Sequence, residues 1–177
     1  MKGPKSILYI AMSLDGFIAK PNDDLSFLSI VQIEGEDYGY KDFLDSVDSI
    51  VLGRKTYDWV IKQVGELQYM DKEVFVISKS DKPKNGNTIF YSGNLPDLIS
   101  KLKNSSDKNI FIDGGAQLVN NLMKLDLIDE FIISIIPIFL GKGIRLFNEG
   151  IPERQLKLVS SKSFESGLVQ IHYSKLL

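Results

Sequence analysis

The sequence contains no cysteine and only one histidine, which excludes two common kinds of site. Without cysteine there is no disulfide bond, no thiol nucleophile and no cysteine-ligated metal. A single histidine cannot supply the histidine clusters that hold zinc. The chemistry of this protein must therefore come from other side chains, from the backbone or from a bound cofactor.

The chain also lacks an excess of positive charge. It has 21 Lys and Arg against 23 Asp and Glu, which gives a formal net charge of -2. The lysines are scattered along the sequence and form no basic patch that would attract a phosphate backbone. We therefore expect no nucleic-acid partner.

Long hydrophobic runs are absent as well. The first apolar run, Ile7 to Met12, is cut short by Asp15 and is too short for the core of a signal peptide or for a membrane span. We expect a cytoplasmic protein without a membrane partner. With 177 residues, 44% of them hydrophobic, and no long linker, the chain is predicted to be a single domain over residues 1–177.

The apolar residues that are present follow two alternating patterns. Short runs rich in Ile, Val and Phe without strict alternation are typical of strands covered on both faces. They occupy residues 6–12, 49–53, 74–78, 110–113 and 131–139. Between them, apolar residues at three- and four-residue spacing predict helices. These occupy residues 37–47, 54–64, 95–104 and 116–125. The alternation predicts an α/β fold with a mostly parallel central sheet.

The C-terminal part of the chain has a different pattern. Two strand-like runs, 155–164 and 168–177, are separated by a turn that contains Gly167, which predicts an antiparallel hairpin and a mixed sheet. The apolar run 131–139 is interrupted by Pro137 and is predicted to be a long strand with a break at a sheet edge. An apolar edge of this kind would form the seam of a homodimer.

Two strand-to-helix junctions contain the residues most typical of a ligand site. In an open α/β sheet, ligands bind beyond the carboxyl ends of the strands, where free N–H groups at helix N-termini attract anions. At the first junction Gly53 ends a strand, and Arg54, Lys55 and Thr56 begin a helix. Cations at this position oppose the helix dipole. Either an anionic ligand binds there, or the charges only solvate an exposed turn.

The second junction stops a buried strand on an acid and two glycines, Asp113, Gly114 and Gly115. Because glycine has no Cβ and readily takes a positive φ, the backbone at this point can approach a ligand closely. A diphosphate bound to the N–H groups of Gly115, Ala116 and Gln117 would explain the glycine pair. The alternative is a turn that only lets the following helix pack near the sheet.

Four segments taken together resemble a known family. They are MSLDGFIA from Met12, VLGRKTY from Val51, IDGGAQL from Ile112 and LIDEFIISIIPIFLGKG from Leu127. In their order and spacing the chain resembles the dihydrofolate reductase fold, and especially the reductase domain of the bacterial riboflavin-biosynthesis deaminase/reductase. The resemblance covers nearly the whole chain. It implies a three-layer sandwich with helices on both faces of a mixed sheet, and a protein that often forms homodimers.

The resemblance also implies an activity and a cofactor. Such proteins pass a hydride from NADPH to a C=N or C=O group, so we expect an oxidoreductase that acts on a small heterocyclic, pteridine-like or pyrimidine-like substrate of the riboflavin-precursor type. Arg54 is expected at the 2'-phosphate of the cofactor, because a guanidinium binds phosphate bidentately. Ser78 and Lys79 would flank the adenine, and Ala11 and Ile18 the nicotinamide. The implied cofactor-binding residues are Ala11, Ile18, Gly53, Arg54, Lys55, Thr56, Ser78, Lys79, Gly114, Gly115, Ala116, Gln117 and Leu118.

A proton donor is the last feature that the resemblance implies. In dihydrofolate reductases a helix carboxylate upstream of the LGRKT-type strand protonates the pterin. Asp37 lies at a comparable spacing in this sequence, and Asp24 is its rival, although acids at a helix start often only favour the dipole. Residues 21–40 do not match the pterin motif, so folate reduction is not expected. The sequence contains neither a fused deaminase domain nor its zinc ligands, which implies a freestanding paralogue.

Two other hypotheses remain open from the sequence. The chain could be an NADP-binding module without turnover, since the substrate segment matches no known motif. It could also be a structural homodimer that has lost ligand binding.

Overall fold

The computed structural model describes residues 3–69, 71–80 and 82–176. Its strands are β1 (Ser6–Ser13), β2 (Phe17–Ala19), β3 (Val47–Gly53), β4 (Glu73–Ile77), β5 (Thr88–Tyr91), β6 (Asn109–Gly114), β7 (Glu130–Ile136), β8 (Ile144–Arg145), β9 (Leu156–Ser163) and β10 (Val169–Lys175). Its α-helices are α1 (Tyr40–Asp45), α2 (Arg54–Val64), α3 (Leu95–Ser105) and α4 (Ala116–Lys124), and two 3-10 helices span Pro21–Asp23 and Ser26–Val31.

Eight of the strands form one sheet in the order β5-β4-β3-β6-β1-β7-β10-β9. The six strands from β5 to β7 are parallel, and β10 is antiparallel to both β7 and β9. The remaining strands, β2 and β8, pair as a small antiparallel sheet. The predicted α/β class, the mostly parallel sheet and the C-terminal hairpin are confirmed. Leu177, the last residue of the predicted hairpin, lies outside the described residues.

Helices cover the sheet on both faces, because successive side chains of a strand point to opposite sides. Leu8 of β1 packs in one cluster with residues of α3 and α4. Its neighbour Ile7 packs in the other cluster with Phe43 of α1 and with residues of α2. The 3-10 helix Ser26–Val31 adds a third, smaller cluster near the end of β7. This is the three-layer arrangement that the sequence predicts.

The apolar run that was expected to form the homodimer seam does not lie at a sheet edge. The apolar run 131–139 is not an edge strand, because β7 lies between β1 and β10. The strand also ends at Ile136, one residue before Pro137, which has no N–H to donate to a sheet. The edge strand on this side is β9, which is exposed along its whole length.

Three short strands, β2, β5 and β8, were not expected from the sequence. Each has four residues or fewer, which is too short for a periodic pattern to be recognised. Within the described part of the chain, no helix is both long and apolar enough to cross a membrane.

The topology places four loops at one edge of the sheet. Strands β1, β3, β4 and β6 are parallel, so their carboxyl ends lie on the same side. These ends are Ser13, Gly53, Ile77 and Gly114. Both junctions singled out in the sequence belong to this edge.

Candidate active site

The two strand-to-helix junctions are in direct contact. The backbone N–H of Gly115 donates a hydrogen bond of 2.9 Å to Oγ1 of Thr56. A Cβ atom placed on Gly53 would lie 3.6 Å from the carbonyl oxygen of Gly114 and 3.7 Å from the nitrogen of Gly115. The loop after β3 and the loop after β6 therefore form one continuous backbone surface.

Gly114 has a backbone conformation that requires glycine. Its φ is +110°, and its peptide bond to Gly115 is cis. A side chain at this φ would be strained whatever the space around it. The glycine at position 114 is thus explained locally, and a Cβ on Gly115 would lie 3.0 Å from Oγ1 of Thr56.

The N-termini of α2 and α4 are not capped by side chains. Neither Gly53, which precedes α2, nor Gly115, which precedes α4, provides a side-chain acceptor. By contrast, Oδ1 of Asn94 accepts from the N–H of Asp97 at the start of α3. The uncapped helices point free N–H groups and positive dipole ends toward the same loops, an arrangement that favours an anion. The N–H of Gly115 is already bound to Thr56, so the free donors of α4 begin at Ala116.

The predicted phosphate-binding cation lies at the edge of this surface. Nε of Arg54 donates to both carboxylate oxygens of Asp58, at 2.7 and 2.8 Å, and its guanidinium lies 5.6 Å from the centre of the Phe90 ring. These contacts hold the side chain at the start of α2 while its two terminal nitrogens form no hydrogen bond to another described residue. Lys55 beside it is exposed.

The other predicted cofactor residues lie along the same edge. Ser78 and Lys79 follow β4, whose last residue is paired with Gly53 of β3. Ala11 is partly buried near the carboxyl end of β1 and packs in the third cluster, beside the 3-10 helix Ser26–Val31. Ile18 of β2 packs in the cluster of α3 and α4. The contact between the loops joins four of the predicted residues, Gly53, Thr56, Gly114 and Gly115. The assignment of all the predicted residues to a cofactor stays a prediction.

Asp15 fastens the loop between β1 and β2 to the loop after β7. Its carboxylate accepts hydrogen bonds from Oγ of Ser13 at 2.6 Å and from the N–H groups of Leu140 at 3.1 Å and Gly141 at 2.7 Å. Desolvation raises the pKa of Asp15, but these hydrogen bonds outweigh it and lower the pKa to about 2. The turn that leads into Ile18 is therefore held in place by an ionised side chain.

The two predicted proton donors form local backbone contacts. Asp37 accepts from the N–H groups of Gly39 and Lys41 at the start of α1, and these bonds lower its pKa. Asp24 accepts from the N–H of Ser26, which lowers its pKa as well. Both carboxyls are exposed and ionised at neutral pH, which suits a capping role better than proton donation. Their catalytic role stays a prediction.

Asp113 is the acid at this edge whose surroundings favour its protonated form. It is the residue directly before Gly114, and burial raises its pKa to about 6. The hydroxyl of Tyr69 donates to Oδ2 of Asp113 at 3.4 Å and lies 3.2 Å from the hydroxyl of Tyr40. The sequence contained a signal for it, since a carboxyl at the tip of a buried strand is unusual, but no role was assigned from the sequence.

A layer of polar aromatic residues extends from Asp113 across the sheet. Burial raises the pKa of Tyr40 to about 12 and raises that of Tyr69 further, so both phenols stay protonated and can donate hydrogen bonds. The ring of Tyr40 lies 5.5 Å from the ring of Tyr9, whose hydroxyl is 3.0 Å from Nε2 of Gln170. This row of donors lies on the α1 face of the sheet, beside the loops.

Comparisons with known proteins point to one family. The model of the RibD C-terminal domain family matches residues 4–170. The uncharacterized protein YwjB of Bacillus subtilis is 43% identical over 170 residues, with 96% of this chain and 97% of YwjB covered. YyaP of the same organism, also uncharacterized, is 34% identical over 185 residues, with 98% of this chain and 96% of YyaP covered.

One solved structure is similar over its whole length. The "Putative riboflavin biosynthesis protein" of Shewanella sp. PV-4 superposes with a TM-score of 0.88 at 31% identity, and the match covers 98% of this chain and 99% of that one.

Proposed function

This chain belongs to the RibD C-terminal domain family, a family of reductases, and on that premise we propose that it is an NADPH-dependent oxidoreductase. Its substrate would be a small heterocycle of the pteridine or pyrimidine type, as in riboflavin precursors. The observation that supports the proposal best is the contact between the two junction loops, sealed by the hydrogen bond from Gly115 to Thr56. Two uncapped helix N-termini on one backbone surface fit a dinucleotide diphosphate.

The residues around the loops fit the rest of the cofactor. Arg54 would hold the 2'-phosphate, because contacts with Asp58 and Phe90 fix the position of the Arg54 guanidinium. Lys55 would lie beside it. Ser78 and Lys79 would flank the adenine, and Ala116, Gln117 and Leu118 would offer their N–H groups. The bound nicotinamide supplies the hydride, and the protein supplies position and a dry surface.

We further propose that Asp113 supplies the proton that accompanies hydride transfer. A general acid works best when its pKa lies near the working pH, and the pKa of Asp113 is about 6. Tyr69 fixes its orientation and remains a hydrogen-bond donor. Asp37 and Asp24 remain secondary candidates, because both are exposed and have lowered pKa values.

Arg54→Ala tests the cofactor assignment. The wild type should bind NADPH much more tightly than NADH, and the variant should lose about tenfold or more in affinity for NADPH alone, because charge-assisted bonds to a phosphate contribute that much. Thermal unfolding with each nucleotide measures this. At a hundred times the dissociation constant, NADPH should stabilise the wild type by about 2.7 kcal/mol.

The control for Arg54→Ala is Lys62→Ala, in the last turn of the same helix, which should leave both affinities unchanged. If neither nucleotide stabilises the wild type at millimolar concentration, the cofactor assignment fails. If NADPH binds but no pteridine or pyrimidine causes its oxidation, the protein is a nucleotide-binding module.

We also propose that the protein is a homodimer, with its seam on β9 and β10. Leu156, Leu158 and Val169 are 40%, 51% and 39% exposed. Their strand pairing places all three on the same face as Ile171 and Tyr173, which makes an apolar patch.

We also propose that the protein is cytoplasmic, as expected from the sequence.

Leu158→Lys should convert the dimer to a monomer, since it places a charge in the middle of the patch. Sedimentation velocity at tens of micromolar measures the change. Val64→Lys, at a similarly exposed apolar position on α2, should leave the dimer intact. A monomeric wild type, or a dimer that survives Leu158→Lys, would rule out this seam.

A further inference from the structure

The loop between β4 and β5 contains the only asparagine of the sequence that is followed by glycine, Asn85 before Gly86. Both residues are exposed. The backbone nitrogen of the residue after an asparagine can attack the side-chain amide, and glycine favours this reaction because it has no Cβ to shield that nitrogen. Asn85 is therefore the asparagine whose neighbour hinders the attack least.

The structure leaves both reacting groups free. Nothing lies within 4 Å of the position of a Cβ on Gly86, so the space beside its nitrogen is open. In the part of the chain that the structure describes, the N–H of Gly86 and the side-chain amide of Asn85 form no hydrogen bond. Neither group has to be released before it can react.

Two other asparagines show the contrast. Asn120 is 4% exposed, and its Nδ2 donates to the carbonyls of Ala116 at 2.6 Å and Leu146 at 2.8 Å. Asn104 is followed by the small residue Ser105, but it lies inside α3, where backbone N–H groups are engaged in helical hydrogen bonds. The fold therefore protects these amides and leaves Asn85 open.

The turn at Asn85 is tied to the segment that carries Tyr69. Asn85 and Thr88 exchange two backbone hydrogen bonds, of 3.0 and 2.9 Å, across a loop of two residues. Within that loop, Nδ2 of Asn87 donates to the carbonyl of Tyr69, and the carbonyl of Asn87 accepts from the N–H of Val74 at 3.0 Å. A change in the backbone at Asn85 would therefore move a residue that holds Tyr69.

We propose that Asn85 is a site of spontaneous modification, at which the side-chain amide is lost and the main chain is lengthened. The nitrogen of Gly86 bonds to Cγ of Asn85, and the bond from Cγ to Nδ2 breaks. The side-chain nitrogen leaves as ammonia and takes the proton of the Gly86 nitrogen with it. Water then opens the cyclic imide at either carbonyl, which gives aspartate or isoaspartate. Nothing is oxidised or reduced, and water is the only co-reactant.

The two products differ in what they do to the turn. Isoaspartate adds one carbon to the main chain between residues 85 and 86. Because a hairpin loop of two residues has a tightly defined backbone geometry, the paired hydrogen bonds of residue 85 with Thr88 could no longer both form. Asn87 would then shift away from Tyr69. Aspartate keeps the native main chain and adds only a charge at an exposed position, which has little effect on stability.

Mass spectrometry of the full chain, after incubation in mildly alkaline buffer, tests the proposal. The wild type should gain the mass difference between water and ammonia, and fragmentation of its peptides should place the change at Asn85, with isoaspartate present. Asn85→Gln, whose longer side chain would have to close a larger ring, should stay unmodified. An unchanged wild type, a gain that persists in Asn85→Gln, or modification of Asn85 only when the chain is unfolded in urea would overturn the site.

Hydrogen exchange separates the longer main chain from the new charge. In the modified wild type, the amides of Thr88 and Val74 should exchange faster, since their acceptors are the carbonyls of residues 85 and 87. Freshly prepared Asn85→Asp is the matched control and should exchange as the unmodified wild type does. Equal exchange in the modified and unmodified wild type would contradict the inferred change in the turn.

The effect on turnover rests on the proposed function, because the hydroxyl of Tyr69 contacts Asp113. Turnover of the modified wild type should fall, while Asn85→Asp should keep the turnover of the unmodified protein. Equal turnover before and after modification would overturn the link from this loop to Asp113. A wild type without any turnover would contradict the proposed function alone, since the mass and exchange measurements decide the modification site without NADPH.

Discussion

Asp113→Asn is expected to be more stable than the wild type at pH 7, by up to about 3 kcal/mol. Burial raises the pKa of Asp113 from 3.8 to about 6, and each unit corresponds to about 1.4 kcal/mol against the ionised form in the folded state. Asparagine keeps the shape and a hydrogen-bonding oxygen for Tyr69 without the charge. For a domain of this size the melting temperature should rise by roughly 6 to 12 °C.

The direction of the pH dependence follows from the raised pKa. Below about pH 4 the carboxyl is protonated in both the folded and the unfolded chain, so wild type and variant should have similar stability. As the pH rises from 4 through 6, the unfolded chain ionises first and the wild type loses stability that the variant keeps. Melting temperatures at pH 4, 6 and 8 measure this.

The control for Asp113→Asn is Asp107→Asn, an exposed acid in the loop before β6. It should show no stabilisation that grows with pH. A variant of Asp113 that is less stable than the wild type at pH 8 would mean that the carboxylate is ionised and well solvated in the folded protein.

The same substitution should reduce turnover. With any pteridine or pyrimidine on which the wild type oxidises NADPH, loss of the proton donor should lower kcat by about 10² to 10⁴ while NADPH still binds. The activity of the wild type should decline above about pH 6, as the acid loses its proton. A variant that is more stable and less active would show that Asp113 contributes to catalysis and not to stability.

Gly143→Ala is expected to cost about 3 kcal/mol or more in the free energy of unfolding. A Cβ on Gly143 would lie 2.1 Å from the carbonyl oxygen of Ala19, and its φ is +148°. A backbone atom cannot move aside as a flexible side chain can, so the pairing of β2 with β8 must open. Thermal unfolding should show a melting temperature lowered by roughly 6 to 12 °C.

Gly141→Ala isolates the steric part of this effect. Gly141 also has a positive φ, of +71°, but nothing lies within 4 Å of the position of its Cβ. This substitution should cost only the strain of the left-handed region, about 1 to 2 kcal/mol. If the two variants are equally stable, the close approach of Gly143 to Ala19 adds nothing to the loss in the free energy of unfolding.

The layered fold could be predicted from the sequence because the core strands are long enough to have a pattern. The predicted helix 54–64 has the bounds of α2, since Gly53 and Gly65 flank an amphipathic run. The strands that lie at the edges of the sheet were harder to predict from the sequence. The run 131–139 is as apolar as an edge seam would be, but it is apolar because both faces of β7 are covered, with Phe131 in one core cluster and Ile132 in the other. Which strands are neighbours depends on contacts between distant residues, which a local pattern does not contain.

The sequence predicted which backbone segments form the candidate site, but it did not predict that Asp113 is the buried acid there. The glycines at positions 53, 114 and 115 mark close approach of main chain, which is a local property of residue type. The state of Asp113 depends on Tyr69 and Tyr40, which come from segments 44 and 73 residues away. Asp37 and Asp24 stood out by their spacing, but their bonding partners lie within four residues of each in the chain, as in ordinary turns.

The central place of β1 has a consequence for biosynthesis. Ser6 to Leu8 pair with residues 110–112 of β6, and Ile7 to Ser13 pair with residues 130–136 of β7. The residues of β1 thus leave the ribosome more than a hundred residues before the residues with which they pair in β6 and β7. Until then β1 is an unpaired, aggregation-prone segment, and assembly of the centre of the sheet depends on the late arrival of β6 and β7.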